Sequence, residues 1–385
     1  MGFEVLKESG GARLGRLSTA HGAVETPRFM PVATGGAFRG LTCAEAEAAG
    51  TRILLANAWH LMILPGDRRI ADLGGLHRLM GWKHPILTDS GGYQIASLRS
   101  LREVTEAGAR VRSHRDGSEH HLTPERAMEI QRNLGSDIAM VLDECLNLPA
   151  PHEEVERAAD RSLRWAERCL AAPRRPGQLR FGIVQGGTSR RVRERNAAGL
   201  TALRDFDGFG IGGLFMGEPG DATRRITGFT AGLLPRGRPR YLMGAGLPAD
   251  LVESAALGVD LFDSVIPTRL ARRGIVFTFH GRHNLSRAPY RDDDAPLEAD
   301  CPCPGCQIHC RAWLHYLLRA RERIAVPLLT GHNLTFYARL TAAMRAAIRQ
   351  DAYPAFRERH RDRWRRTIPA PPGGAASSLG EVPSW

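Results

Sequence analysis

Short apolar runs, each closed by glycine or a polar residue, recur along most of this chain and constrain its fold more than any other feature. They are RILLANA near residue 52, HPILTDSGG near 84, SDIAMVLDE near 136, RFGIVQGG near 180, DGFGIGGL near 207, RYLMGAG near 240 and GVDLFDSVIP near 258. Each has the length and character of a strand buried on both faces, as in a parallel sheet. The stretches between them are rich in Arg, Ala and Glu at helical spacing. One is PHEEVERAADRSLRWAERCL, residues 151–170; another opens at Thr123-Pro124-Glu125, with proline at the first helical position. Repeated β–α units over about 250 residues predict an α/β chain folded as a (β/α)8 TIM barrel. A doubly wound sheet is the second choice, but no GxGxxG follows the first strand. In a barrel the strand C-termini form the active face. Asp89, Asp143, Gln185, Gly212, Gly213, Gly244 and Asp263 close six of the runs, so six strands are expected to deliver them to one mouth.

The barrel is expected over residues 1–280. The segment 281–345 breaks the rhythm and holds a cysteine cluster, so it reads as a zinc-bearing subdomain, followed by a closing helix over 346–365. The last stretch, 366–385, is rich in Pro, Gly, Ser and Ala and reads as a disordered tail. The N-terminus MGFEVLKESGG has no signal-peptide core, and no run approaches the roughly 18 apolar residues of a membrane span. A cytoplasmic protein without membrane attachment is the expectation. Lys and Arg outnumber Asp and Glu by 53 to 41, a net charge of +12. An excess of this kind, mostly arginine, points to a polyanionic partner such as nucleic acid.

Cys301, Cys303 and Cys306 place three thiolates in CPCPGC. A tetrahedral structural zinc needs a fourth ligand. His332, Cys310, His309 and His315 are all candidates, and spacing does not choose among them. Four protein ligands leave no open position, so the ion is structural rather than catalytic.

Three carboxylates close apolar runs: Asp89, Asp143 and Asp263. A lone one is more often a helix cap. Together, on a basic chain, they fit cleavage of a glycosidic bond through a covalent sugar intermediate. A sugar-cleaving barrel enzyme is therefore an alternative, but Phe, Trp and Tyr total only 6%, few for stacking on sugars. After Asp89 and Ser90, Gly91 and Gly92 let the backbone approach a ligand, and Tyr93 offers a face to a flat base. Asp143 and Gln185 suit the polar edge of a purine, and Gly213 can offer a backbone N–H.

These segments resemble the bacterial queuine tRNA-ribosyltransferases, also called tRNA-guanine transglycosylases. The resemblance rests on TDSGGYQ (88–94), LTPERAMEIQ with GSDIAMVLDEC (122–145), GIVQGG (182–187), IGGLFMGEP (211–219), YLMGAG (241–246), DLFDSVIPTR (260–269), CPCPGC (301–306) and HNL (332–334), in family order and spacing. It implies a homodimeric barrel enzyme, a pentosyltransferase with one structural zinc per subunit. The enzyme exchanges guanine at the wobble position of GUN-anticodon tRNAs (Asp, Asn, His, Tyr) for preQ1. By position in the motifs, Asp263 is the nucleophile and Asp89 the general acid/base. Ser90, Gly91, Gly92, Tyr93, Asp143, Cys145, Gln185, Gly212, Gly213, Leu214, Met243 and Gly244 form the base site. Met243, Gly244, Ala245, Gly246, Leu247, Pro248 and Ala249, with Thr268, Arg269, Leu270, Ala271 and Arg272, lie along the anticodon stem-loop. The zinc ligands implied are Cys301, Cys303, Cys306 and His332. Departures from the family pattern are Phe215 and Met216 where small residues are usual; Met216 implies a pocket closed to queuine, and Phe215 has no explanation in the pattern. Leu247 stands at a commonly basic position, and Arg273 is placed to compensate. Alternatives are exchange at another tRNA position or in DNA, and a non-catalytic RNA-binding subunit.

Overall fold

The computed structural model describes residues 2–97, 102–113 and 115–364. The expected tail, 366–385, lies outside them. Eight parallel strands form the barrel: β1 (Arg28–Pro31), β2 (Leu54–Ala56), β3 (Ile86–Thr88), β4 (Ile138–Met140), β5 (Leu179–Val184), β6 (Gly208–Ile211), β7 (Arg240–Leu242) and β8 (Leu261–Ser264). Each pairs in parallel with its neighbour in sequence, and β8 returns to β1 from Leu261↔Arg28 to Ser264↔Pro31. A parallel bridge, Val32↔Leu55, joins β1 to β2 and closes the ring. The strands are largely apolar because helices cover the outside and side chains fill the inside. All six residues of β5 are buried.

The helices follow local sequence rules. Pro124–Leu134 starts at Thr123, whose side chain accepts the Arg126 N–H, has proline in its first turn, and stops at left-handed Gly135. His152–Ala171 buries Val155, Ala158, Ala159, Ser162, Trp165, Ala166 and Cys169, one stripe at helical period.

Three features lie outside the repeat. An antiparallel sheet of Gly2–Ser9, Ala12–Thr19 and Gly22–Thr26 precedes β1, and a second, Arg102–Val104, Ala109–Arg112 and Glu119–Leu122, follows β3. After β8 the chain makes a short helix, Ile266–Ala271, a hairpin, Ile275–Thr278 with Gly281–Asn284, and the cysteine segment. It then returns through the 25-residue helix Ala325–Arg349. That helix contributes Ala325 and Leu329 to a small core around the cysteines, and Leu334, Tyr337, Leu340, Met344 and Ile348 to the main core. No helix among the described residues is long and apolar enough to cross a membrane.

The N-terminal sheet is fastened to the bottom of the barrel by Arg13, which grips the Asp260 carboxylate through both Nε and a terminal nitrogen. Both side chains are buried, and Asp260 also accepts the Arg240 N–H at 2.7 Å. Removing the cation strands a buried charge, which typically costs about 3–5 kcal/mol. Arg13→Met is therefore expected to lower unfolding stability by about that amount in urea titrations. A loss under about 1 kcal/mol, the scale of an exposed pair, would show that water reaches Asp260.

Candidate active site and metal centre

The mouth collects the strand-end residues. Asp89 follows β3, Asp143 lies three residues past β4, Gln185 follows β5, Gly212 and Gly213 follow β6, Met243 and Gly244 follow β7, and Asp263 sits in β8. Asp263 Oδ1 accepts two hydrogen bonds, from Tyr241 Oη at 2.6 Å and Gly244 N at 2.7 Å. Both converge on one oxygen, and among the described residues no hydrogen bond engages Oδ2. Asp89 sits at the start of the helix Ala58–Ile63. Its Oδ1 accepts Ala58 N at 2.8 Å and its Oδ2 accepts Asn57 Nδ2 at 2.5 Å.

Asp143 is held across the mouth by Gln185 Nε2, at 2.6 Å from Oδ2, and by Ser90 Oγ, at 3.3 Å from Oδ1. Cys145 is buried beside Gln185 and Gly213, and desolvation pushes its thiol up to about 12. It is a thiol hydrogen-bonded with Gln185 and the Gly213 backbone. Burial also raises all three carboxyl groups. Asp89 reaches about 7, through desolvation first and then the fields of Asp263 and Asp143, opposed by the Ala58 N–H. Asp143 reaches about 6, with Gln185 and Ser90 opposing the rise. Asp263 is raised by desolvation against the pull of Gly244 and Tyr241. A group near 7 beside a carboxylate held at one oxygen suits proton transfer next to nucleophilic attack.

Two glycines are required by close approach. A Cβ on Gly92 would lie 2.2 Å from Asp143 Oδ1 and 2.8 Å from Asp143 O. A Cβ on Gly213, at φ +64°, would lie 2.3 Å from Gln185 Oε1. Tyr93 is 59% exposed at the rim, a ring face open to a ligand. Leu214 is buried, Met243 half-buried and Gly244 exposed. Phe215 adopts a left-handed conformation, φ 60°. Its N–H and that of Met216 both donate to Glu218, at 2.6 and 2.9 Å. A cleft of about 820 Å³ lies beside the mouth, lined by Leu148, Val155, Arg190, Glu218 and Phe229 among others. It shares the Glu218 turn with the site but contains none of the three carboxylates, so the chemistry is assigned to the mouth.

The two segments expected along RNA are only partly at the surface. Gly244 and Leu247 are exposed, whereas Ala245, Gly246, Pro248 and Ala249 are buried. Thr268 and Ala271 are buried, Leu270 and Arg272 half-buried, and Arg269 and Arg273 exposed. Arg272 is held below its ordinary value by burial and by Arg39, Arg269 and Arg273. No carboxylate among the described residues bridges any of these four cations, and three of them follow β8 on the segment that leaves the mouth.

The residues missed from sequence are Asn57, Tyr241, Glu218 and Arg39. Asn57 follows the last strand residue within RILLANA and would have emerged from the strand-end rule applied once more. Tyr241 and Glu218 lie inside YLMGAG and IGGLFMGEP, but nothing local marks their hydroxyl and carboxylate as supports for a neighbour.

Behind the mouth, Cys301, Cys303, Cys306 and His332 bring four donor atoms within 4.8 Å of one another, all buried. His332 Nδ1 stands 3.6, 3.5 and 3.3 Å from the three sulfurs. Ligands at zinc–sulfur and zinc–nitrogen bond lengths and tetrahedral angles lie about 3.5 Å apart, so the set fits zinc. His332 Nε2 donates to Phe277 O at 2.8 Å, which leaves Nδ1 as the coordinating nitrogen. Cys310 and His309 stand outside this cluster. His315 is instead bonded to Leu285 O at 2.7 Å.

The fold and mouth define a class: a (β/α)8 barrel with carboxylates converging at its strand ends and a Cys3His centre on the return from the last strand. Comparison with known proteins narrows this. The queuine tRNA-ribosyltransferase family model matches residues 8–366. The queuine tRNA-ribosyltransferase of Rhizobium meliloti is 46% identical over 367 residues, 94% of this chain and 97% of its own. Those of Solidesulfovibrio magneticus and Moorella thermoacetica are each 49% identical, covering 90% of this chain and 94% and 93% of their own. The chain belongs to the queuine tRNA-ribosyltransferase family.

Gly92→Ala is expected to push the Asp143 carboxylate aside while the barrel stays folded by circular dichroism. A displacement of about 1 Å in such a site commonly costs about 100-fold in catalytic efficiency. Unchanged kinetics would show that Asp143 is not held by this contact.

Proposed function

We propose that the chain is a tRNA-guanine transglycosylase that exchanges the wobble guanine of GUN-anticodon tRNAs for preQ1. The observation that carries this reading is the Asp263 carboxylate, anchored at Oδ1 by Tyr241 and Gly244, in the same mouth as a proton-transferring Asp89. Asp263 Oδ2 attacks C1′ of the guanosine, and the bond from C1′ to the base breaks. Asp89 gives its proton to the departing guanine, leaving a ribosyl–aspartate ester. The incoming preQ1 gives a proton back to Asp89 and attacks the same carbon, releasing Asp263. Two inversions retain the β-nucleoside, and the RNA backbone stays intact.

Asp143, Gln185, Cys145 and Gly213 hold the purine edge, with Tyr93 and Met243 on its two faces. Met216 narrows the pocket against queuine. Arg39, Arg269, Arg272 and Arg273 hold the loop, whose unpaired bases make extraction of the target cheaper. We assign zinc to the Cys3His centre as a structural ion, closed to substrate. A homodimer is supported by apolar side chains exposed together on the cysteine segment: Ile308 at 72%, Trp313 at 45% and Tyr316 at 53%.

Incubation with labelled guanine and bulk tRNA, followed by mapping of the labelled nucleotide, tests the reading. Label should enter the wobble position of GUN tRNAs alone, and Asp263→Asn should bind tRNA without exchange or covalent adduct. Label at another position, or an adduct trapped with that variant, overturns it.

Asp89 gives the pH dependence. Its proton donor form exists below its pKa of about 7. Single-turnover release of guanine should therefore fall as pH rises through about 7, and Asp89→Asn should abolish that limb along with most of the rate. A wild-type profile flat across neutrality removes Asp89 from proton transfer.

A further inference from the structure

Two of the glycine turns that shape the base site share a buried cation that neither the proton transfer nor the ribosyl transfer employs. Arg193, in the helix Arg190–Ala202, is fully buried. Its Nε donates to Gly187 O at 2.7 Å, one terminal nitrogen to Gly212 O at 2.8 Å and the other to Val184 O at 3.4 Å. Val184 ends β5 and Gly187 follows it, whereas Gly212 follows β6. All three acceptors are main-chain carbonyls, and no carboxylate among the described residues bridges the guanidinium. Burial lowers it to about 10, against the opposing fields of Glu218 and Cys145, so it stays charged at neutrality.

A buried cation without a bridging carboxylate is costly, and joining two turns does not require one. Asn196, one helical turn further on, does such work with a neutral amide: it donates to Ala159 O at 2.7 Å and accepts the Gln185 N–H at 3.0 Å. The charge of Arg193 therefore calls for another use. The Gly212 carbonyl and the Gly213 N–H are the two ends of one peptide group, and in a trans peptide they point opposite ways. Arg193 binds the oxygen end. At the other end the Gly213 N–H is hydrogen-bonded to Cys145, beside Gln185 in the base site. A cation on a carbonyl oxygen draws electron density along the peptide and makes its N–H a stronger donor, the more so where water is excluded. Room is kept for this approach: a Cβ on Gly186 would lie 2.9 Å from Arg193 Cγ.

Guanine leaves with the electron pair of its bond to C1′. The charge spreads through the ring onto the carbonyl oxygen at C6 until the Asp89 proton neutralises the base. A preorganised donor aimed at that oxygen lowers the barrier. We propose, on the reading of the mouth as a guanine site, that Arg193 is a positioning residue for the exchange. It polarises the Gly212–Gly213 peptide so that the Gly213 N–H takes up charge from the departing base.

Single-turnover base release from anticodon stem-loops carrying guanosine or 6-thioguanosine at the target position tests this. Sulfur leaves the ring N–H and amine in place but accepts a hydrogen bond weakly. Arg193→Gln replaces the guanidinium with a neutral amide that still donates. It should slow guanine release about 10- to 100-fold, less than the roughly 100- to 1000-fold of losing such a donor outright. KM for the stem-loop should be nearly unchanged, and 6-thioguanine release should fall far less. Arg193→Lys, which restores the charge, should recover most of the guanine rate. Damage to the turns alone would slow both bases alike, so equal losses overturn the proposal, as does an unchanged guanine rate in Arg193→Gln. If circular dichroism shows Arg193→Gln unfolded, isotope-edited infrared spectra of guanine bound to the wild type and to Arg193→Lys decide. A carbonyl stretch below that of guanine in water supports the polarised donor, and a stretch at or above that value overturns it. A wild type that releases neither base overturns the reading of the mouth and this inference with it.

Discussion

The parallel pairing of β8 with β1 turns an eight-stranded sheet into a ring, and the site depends on that closure. In an open sheet Asp89 and Asp263 would stand on strands far apart. In the ring, β8 is two strands from β2 and three from β3. The Asp263 carboxylate then shares a field with Asp89 strong enough to help raise the latter. Tyr241 reaches Asp263 from the adjacent strand for the same reason: β7 and β8 run side by side with Tyr241 opposite Leu261.

Closure also creates the electrostatic cost that the loops answer. Three carboxylates converge where water is scarce, and each is raised by desolvation. The counterweights are neutral dipoles rather than cations: Ala58 N–H and Asn57 for Asp89, Gln185 and Ser90 for Asp143, Tyr241 and Gly244 for Asp263. Dipoles fix orientation without neutralising charge, so burial raises all three carboxyl groups, Asp89 to about 7 and Asp143 to about 6. Arginine is placed elsewhere. Arg193 is buried behind Gln185 and Gly213, where it donates to Gly187 O and Gly212 O and holds the two glycine turns together.

Most of this mouth was legible in sequence because a barrel strand buried on both faces leaves an uninterrupted apolar run, and its polar terminus stands out. The limits follow from the same cause. β1, RFMP, is four residues long, begins with arginine and ends with proline, so it gives no run to notice. The two antiparallel sheets alternate apolar with arginine, glutamate and histidine, as half-exposed strands do, and blend into the polar connections. The fourth metal ligand was ambiguous because His309, Cys310 and His315 are nearer in sequence than His332. Only the packing of Ala325–Arg349 against the cysteine segment brings His332 Nδ1 into line with three sulfurs. Residues that support rather than contact a ligand, such as Tyr241 and Glu218, carry no signature of their own.

That helix gives the metal centre a bearing on the mouth. His332 and Asn333 are adjacent in it, and both bind the segment leaving β8. His332 donates to Phe277 O. Asn333 donates to Pro267 O at 2.9 Å and Ile275 O at 3.1 Å, and accepts the Phe277 N–H at 3.1 Å. Pro267 and Ile275 bracket Arg269, Arg272 and Arg273. The side chains that fix the ends of this basic stretch thus come from the turn of helix that supplies the fourth ligand. The metal centre orders that turn, the turn orders the arginines, and the arginines stand a few residues beyond Asp263 on the same strand exit. The Cys3His cluster is thus tied, through His332 and Asn333, to the basic stretch that leaves the strand carrying Asp263.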